Sequence, residues 1–432
     1  MSLIDLVGVF GAYREARRFD RWSDRATLEA HQQQRIATLL HEVAAQSAFY
    51  TPLRGQPLEQ WPVIGKAEWM GQFDAINTRG LELAPLMELA LDGERLRRFS
   101  ARTDGLSIGL STGTSGSRGL FVASAAERNR WAGTMLAKLL PQPWKPQRVA
   151  LLLRAGNSLY DRIGAGHLRF RYFDVARPWE PVVAELRDFA PTILVAPPQA
   201  LLRLAELPVS RRVAPARVIS CAEVLHDFDS ARIEAAFGVH IEQIYQATEG
   251  FLGATCPQGT LHLNEAQYLI EKEWLSEERA RFVPVVTDLY RRVQPVIRYR
   301  LNDILTIRQE PCPCGRVSTA LRAIDGRRDD LLLLDSQGPI GQAPVAIFPD
   351  LITRAIVTAA PSVVDFEVEE TARGVWSVRA QPPPGAAAES QIRAALVRLT
   401  TNLGANPPEV GFEPLAAREL MRKMRRVRGS TS

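Results

Sequence analysis

Apolar residues recur at helical spacing through Leu28, Ile36, Leu39, Leu40 and Val43, with glutamines and charges between them. That period predicts an amphipathic helix over residues 26–46. A second helix is expected over 125–140, behind a loop rich in glycine, serine and threonine. Short apolar runs then alternate with helical patterns. Residues 149–153, 193–196, 218–220 and 241–245 read as buried strands, and 181–189 and 229–237 as helices. This rhythm predicts an α/β fold with a partly parallel sheet. From Phe282 onward the texture changes. Runs at 283–286, 296–299 and 304–307 are closely spaced and broken by Pro295 and Asn302-Asp303, which predicts antiparallel strands. The glycine–charge cluster over 326–330 has no apolar period and reads as a boundary. Beyond it, strands at 363–368 and 375–380, a loop at 382–385 and a helix over 389–402 predict a small α+β domain joined by one linker. The expected domains are therefore residues 1–328, large and of mixed sheets and helices, and 329–432, small and mobile. No internal repeat is visible.

Length agrees with this division, because 432 residues exceed what one core supports. The net charge of +5 suits an anionic ligand such as a nucleotide and does not require nucleic acid. The most basic stretch, Arg418 to Arg428, reads equally as a solvated face. No apolar run reaches the ~18–20 residues of a membrane span. The apolar N-terminal stretch lacks a basic leader and a cleavage site, so no signal peptide and a cytoplasmic location are expected. In such a compartment the four cysteines are expected as metal ligands or packed thiols.

The stretch Leu110-Ser111-Thr112-Gly113-Thr114-Ser115-Gly116-Ser117-Arg118-Gly119 places three glycines, many hydroxyls and one cation in ten residues. Glycine lets backbone N–H groups approach an anion, and hydroxyls add donors. The spacing matches neither a Walker A loop nor a dinucleotide fingerprint. It resembles the phosphate loop of the adenylate-forming superfamily of acyl- and aryl-CoA synthetases. More narrowly it is similar to the phenylacetate-CoA ligase and coenzyme-F-synthetase-like branch. Three further motifs follow in order. Tyr245-Gln246-Ala247-Thr248-Glu249-Gly250 resembles Tyr-Gly-x-Thr-Glu, Tyr299-Arg300-Leu301-Asn302-Asp303 resembles Tyr-Arg-Thr-Gly-Asp, and Gly326-Arg327-Arg328-Asp329-Asp330 resembles the hinge Gly-Arg-x-Asp-Asp. Ala222-Glu223 and Leu261-His262-Leu263-Asn264-Glu265 resemble a subgroup described as adenylate-forming enzymes.

The resemblance implies ATP-dependent activation of a carboxylic acid, with pyrophosphate released and an acyl-AMP held. Ser111, Thr112, Gly113, Thr114, Ser115, Gly116 and Arg118 would grip the outer phosphates. Glu249 would hold Mg²⁺, and Thr248 would touch the α-phosphate. Tyr245 would lie against adenine, Asp303 and Arg327 would serve the ribose, and Ala222 and Glu223 would join the nucleotide contacts. Lys423, in Arg422-Lys423-Met424-Arg425-Arg426-Val427, is similar to the catalytic lysine of the ligases' Gly-Lys-x-x-Arg-Val ending, without its glycine. Asp329 would be the hinge. This sequence has Ser117-Arg118-Gly119 where many relatives have Pro-Lys-Gly. CoA, a carrier protein's phosphopantetheine or an amine could accept the acyl group.

Cys312-Pro313-Cys314-Gly315 brings two thiols together, and Cys256 and His262 bracket a glycine-containing turn. Three cysteines and a histidine fill a tetrahedral zinc site with no open position, which would be structural. Asn157, Tyr160 and Gly250 are the candidate acyl pocket, with an aryl acid as the expected substrate. Alternatives are adenylyl transfer to a phosphorylated cofactor and a nonenzymatic scaffold, braced by zinc, that binds nucleic acid or protein. The modest charge and the lack of an aromatic–basic stripe weigh against the scaffold.

Overall fold

The computed structural model describes residues 3–96, 102–103, 105–111, 118–140, 142, 144–154, 167–208, 213–339, 342–416, 418, 420 and 423–429. The chain forms two compact units. The first comprises residues 1–301 and 307–323, the second 302–306 and 324–432. One linker was expected, after residue 328. The chain instead passes between the units three times, with 302–306 and 324–328 grouped with the C-terminal part.

The first unit holds a run of five parallel strands in the order Leu168–Asp174, Gln147–Leu153, Ile193–Ala196, Arg217–Ser220 and Ile241–Gln246. The central strands are buried on both faces, as their unbroken apolar runs require. The connecting helices Trp179–Phe189 and Asp227–Phe237 match the expected βα rhythm. The sheet continues antiparallel through Phe251–Thr255 and Leu261–Leu263. Leu140, Val149, Leu151, Ile193, Val195 and Ile219 form a core, and Cys221 packs in it as a buried thiol. Tyr268–Trp274 and Arg281–Asp288 pair antiparallel with each other within this unit.

The helix Ala125–Leu139 starts where Ser124 and Glu127 form a reciprocal capping box. Glu127 also accepts the backbone N–H groups of Arg292 (2.6 Å) and Val293 (3.0 Å). A helix at Leu3–Phe19 packs along it, closely enough that a Cβ on Gly133 would lie 2.7 Å from Ala12 Cβ. The strand expected over 296–299 is cut down to Tyr299–Arg300. Arg298 adopts a left-handed backbone (φ 45°), which no ladder accommodates, and its N–H turns to Thr287 Oγ1.

The second unit carries a four-stranded sheet in the order Glu409–Pro414, Val375–Gln381, Asp365–Ala372 and Val427–Arg428. Burial alternates along both central strands, with Phe366, Val368, Trp376 and Val378 inward. Helices Pro349–Ala359 and Ala386–Asn402 bury Ile352, Ile356, Ile392 and Leu396. Among the described residues no helix is long and apolar enough to cross a membrane.

Candidate nucleotide site and metal knuckle

Strands Leu106–Leu110 and Leu120–Ala123 pair antiparallel and lead into the glycine-rich loop. Ser111 and Gly119 close its neck. The Ser111 N–H donates to Gly119 O at 2.7 Å, and the Gly119 N–H donates to Ser111 Oγ at 2.7 Å. Thr112, Gly113, Thr114, Ser115 and Gly116 lie outside the described residues. Arg118 is exposed and pairs with Glu94. Lys66 Nζ donates to Ser111 Oγ at 3.4 Å.

The parallel strand Ile241–Gln246 ends in the second motif. Tyr245 is buried, and Thr248 and Glu249 are half-buried. The turn is tight: Ala247 N–H donates to Gly250 O (3.0 Å), and Gly250 N–H to Ala247 O (3.3 Å). A Cβ on Gly250 would lie 2.7 Å from Tyr268 Cζ, so only glycine fits beside that ring. The Tyr268 hydroxyl accepts the Phe251 N–H at 3.0 Å, and Asn264 Nδ2 donates to Phe251 O at 2.7 Å.

Sequence motifs did not reveal what supports this turn. Arg291, almost fully buried, donates to the carbonyls of Thr248 (3.5 Å) and Glu249 (3.4 Å) and to Gln294 Oε1 (2.7 Å). Asp288 accepts the N–H groups of Tyr290 (2.9 Å) and Arg291 (3.1 Å). Loss of hydration pushes Asp288 up to about 6, against those N–H donors and the Arg291 charge. The one available signal was the polar end of the apolar run 282–289.

Ala222 takes a left-handed backbone (φ 65°) immediately after Cys221. Glu223 forms a buried ion pair with Arg154 at 3.4 Å. Asn157 and Tyr160, close behind Arg154 in the chain, lie outside the described residues.

Within the second unit, Arg327 Nε stands 3.9 Å from Asp303 Oδ1. Asp329 sits in a single 3-10 turn and accepts the Asn302 side-chain amide. Lys423 is half-buried, four residues before the strand Val427–Arg428. Its basic neighbours are committed to carboxylates. Arg425 reaches Asp330 (3.0 Å), Arg426 reaches Asp365 (3.1 Å), and Arg418 reaches Glu367 (2.8 Å). The basic run is thus largely neutralised within its own unit.

The four proposed metal ligands converge in the first unit. Sγ of Cys256, Cys312 and Cys314 and a ring nitrogen of His262 lie within 4.8 Å of one another. Cys256 Sγ is 3.7 Å from Cys312 Sγ, and Cys314 Sγ is 3.4 Å from His262 Nε2. A tetrahedral zinc with bonds of ~2.3 Å to sulfur has S···S edges of ~3.8 Å, so the spacing fits the ion. His262 Nδ1 lies 3.0 Å from Ser318 O, which leaves Nε2 as the ligand atom. Both turns use a glycine at positive φ, Gly259 (76°) and Gly315 (75°). Burial opposes ionisation of Cys312, but hydrogen bonds from Thr260, the Cys314 N–H and His262 pull its thiol down to about 6. Burial pushes Cys314 up to about 11.

No family model matches the chain. A phenylacetate-coenzyme A ligase of Thermus thermophilus is 25% identical over 201 residues, a stretch covering 43% of each protein. The match therefore spans less than half of that relative. A 2-hydroxyisobutyryl-CoA ligase, solved in the postadenylation state with 2-HIB-AMP, superposes with a TM-score of 0.67 at 20% identity, over 94% of this chain and 89% of the other. The acyl acid amido synthetase GH3.15 gives 0.55 at 11% identity, over 91% and 89%. Part of the sequence is thus similar to a phenylacetate-coenzyme A ligase, and the fold is that of the 2-hydroxyisobutyryl-CoA ligase.

Proposed function

We propose that the chain is an adenylate-forming ligase that activates a carboxylic acid with ATP and then passes the acyl group to a thiol. The observation that best supports this is the braced turn at Thr248 and Glu249. It lies at the carboxyl end of a parallel strand, where open α/β sheets bind their ligands.

A carboxylate attacking the α-phosphate of ATP brings two anions together, so charge must be neutralised and the line of attack fixed. The backbone and hydroxyls of residues 111–118 hold the outer phosphates. Thr248 orients the α-phosphate, and Glu249 is the carboxylate that would hold Mg²⁺, which draws charge from phosphate oxygens when bound. Tyr245 and the Ala222-Glu223 segment serve adenine, and Asp303 and Arg327 the ribose. Lys423 stabilises charge on the reacting oxygens, a preorganised contact worth ~10²–10³ in rate, with Asp329 as the hinge. Asn157, Tyr160 and Gly250 shape the acyl pocket. Cys256, His262, Cys312 and Cys314 would hold a structural zinc. Because the Thermus relative is a phenylacetate-CoA ligase, an aryl acid and CoA are the first substrates to supply, with a pantetheinylated carrier protein next.

Acid-dependent exchange of pyrophosphate into ATP, run over aryl, fatty and amino acids, tests the reading. Exchange with one acid class is expected, and CoA should then yield the thioester. A folded protein that exchanges with none of them would refute it.

A further inference from the structure

Lys66 lies 45 residues before Ser111, in no motif, yet it is built into the neck of the glycine-rich loop. Ile64 fixes where it starts: Ile64 N–H donates to Arg298 O (3.1 Å), and Arg300 N–H donates to Ile64 O (2.9 Å). Lys66 opens the short helix Lys66–Gly71, which Trp69 anchors through Nε1 to Pro295 O at 3.0 Å. From there Nζ reaches Ser111 Oγ at 3.4 Å. The fit extends to the stem, because a Cβ on Gly119 would lie 3.3 Å from Lys66 Cε. Glycine at 119 thus makes room for the lysine. The loop's own cation, Arg118, instead pairs with Glu94 at the surface. An ammonium is a compact point charge with three donors, suited to phosphate oxygens.

We propose that Lys66 binds the pyrophosphate portion of ATP at the Ser111–Gly119 neck. It thereby supplies an ammonium at the neck, where the loop's own cation, Arg118, is paired with Glu94. This rests on the adenylation reading and adds to it a residue that distinguishes ATP from AMP.

Binding of ATP with Mg²⁺, of pyrophosphate and of AMP is measured for wild type, Lys66→Met and Lys66→Arg. The Met variant keeps the stem over Gly119 and removes the charge. It should bind ATP and pyrophosphate about tenfold more weakly, leave AMP within about twofold, and be largely rescued by Arg. Unchanged ATP affinity, or equal losses for ATP and AMP, overturns the inference while leaving adenylation standing. A wild type that binds no ATP overturns both. Acetylation of the wild-type lysine, followed by mass spectrometry, reads the same contact without a variant. ATP should protect Lys66 and AMP should not; equal labelling overturns the inference.

Discussion

Two turns close the two ends of the strand Phe251–Thr255, and they are held by opposite means. At the N-terminal end, Arg291 donates to the carbonyls of the 247–250 turn, while Phe251 beside it donates its N–H to the Tyr268 hydroxyl and accepts the Asn264 amide. At the C-terminal end, Cys256 joins three side chains arranged as ligands for an ion. One end is a preassembled polar scaffold; the other brings thiols together in a way that makes sense around a cation. The difference teaches which support should survive a chelator, and which should respond to a single buried arginine.

The largest effect should come from the metal end. Cys312→Ser, or exhaustive chelation, should remove about one zinc per chain and lower unfolding stability by several kcal/mol, on the scale of structural zinc sites. Metal analysis with thermal unfolding checks this, and a stable, zinc-free wild type would break the comparison. At the other end, Arg291→Met should leave the metal content intact and reduce pyrophosphate exchange by roughly 10–100-fold, through kcat more than stability. Arg291→Lys should recover only part, since one ammonium cannot reproduce the fork of contacts. Gly250→Ala should cost about 1–3 kcal/mol by overpacking against Tyr268, read by denaturant unfolding. Tyr268→Phe in the same chain should relieve some of that cost. The smallest effect concerns pH. Asp288 holds its proton up to about 6, above the ordinary carboxylate range, so its contribution to stability is complete below about pH 4 and lost as pH rises through 6. The difference in stability between wild type and Asp288→Asn, followed from pH 4 to 7, should slope in that direction; a flat difference would remove the buried charge from the account.

Legibility followed the same line. The cysteines and His262 could be found because metal ligands have recognisable types and spacing. Arg291 could not, because a buried arginine in the segment after a strand looks like any surface cation until its partners, 42 and 43 residues away, are known. In the fold, residues 193–196 were read without error because a fully buried strand shows an unbroken apolar run. The helix Leu3–Phe19 was not anticipated, and its pattern points the wrong way. Ile4, Val7 and Phe10 are 83%, 66% and 60% exposed, whereas Asp5, Ala12 and Ala16 are buried. Close packing on Gly133 favours small residues on the buried face, which removes the apolar stripe that marks most helices.

The threefold passage of the chain between its units has a practical consequence for recombination and proteolysis. No single nick releases either unit intact. Cutting after residue 328 would strand 302–306 and 324–328 on the wrong fragment. A chimera that exchanges the C-terminal unit with a relative's should therefore carry the short insert 302–306 as well, or it will graft half a fold.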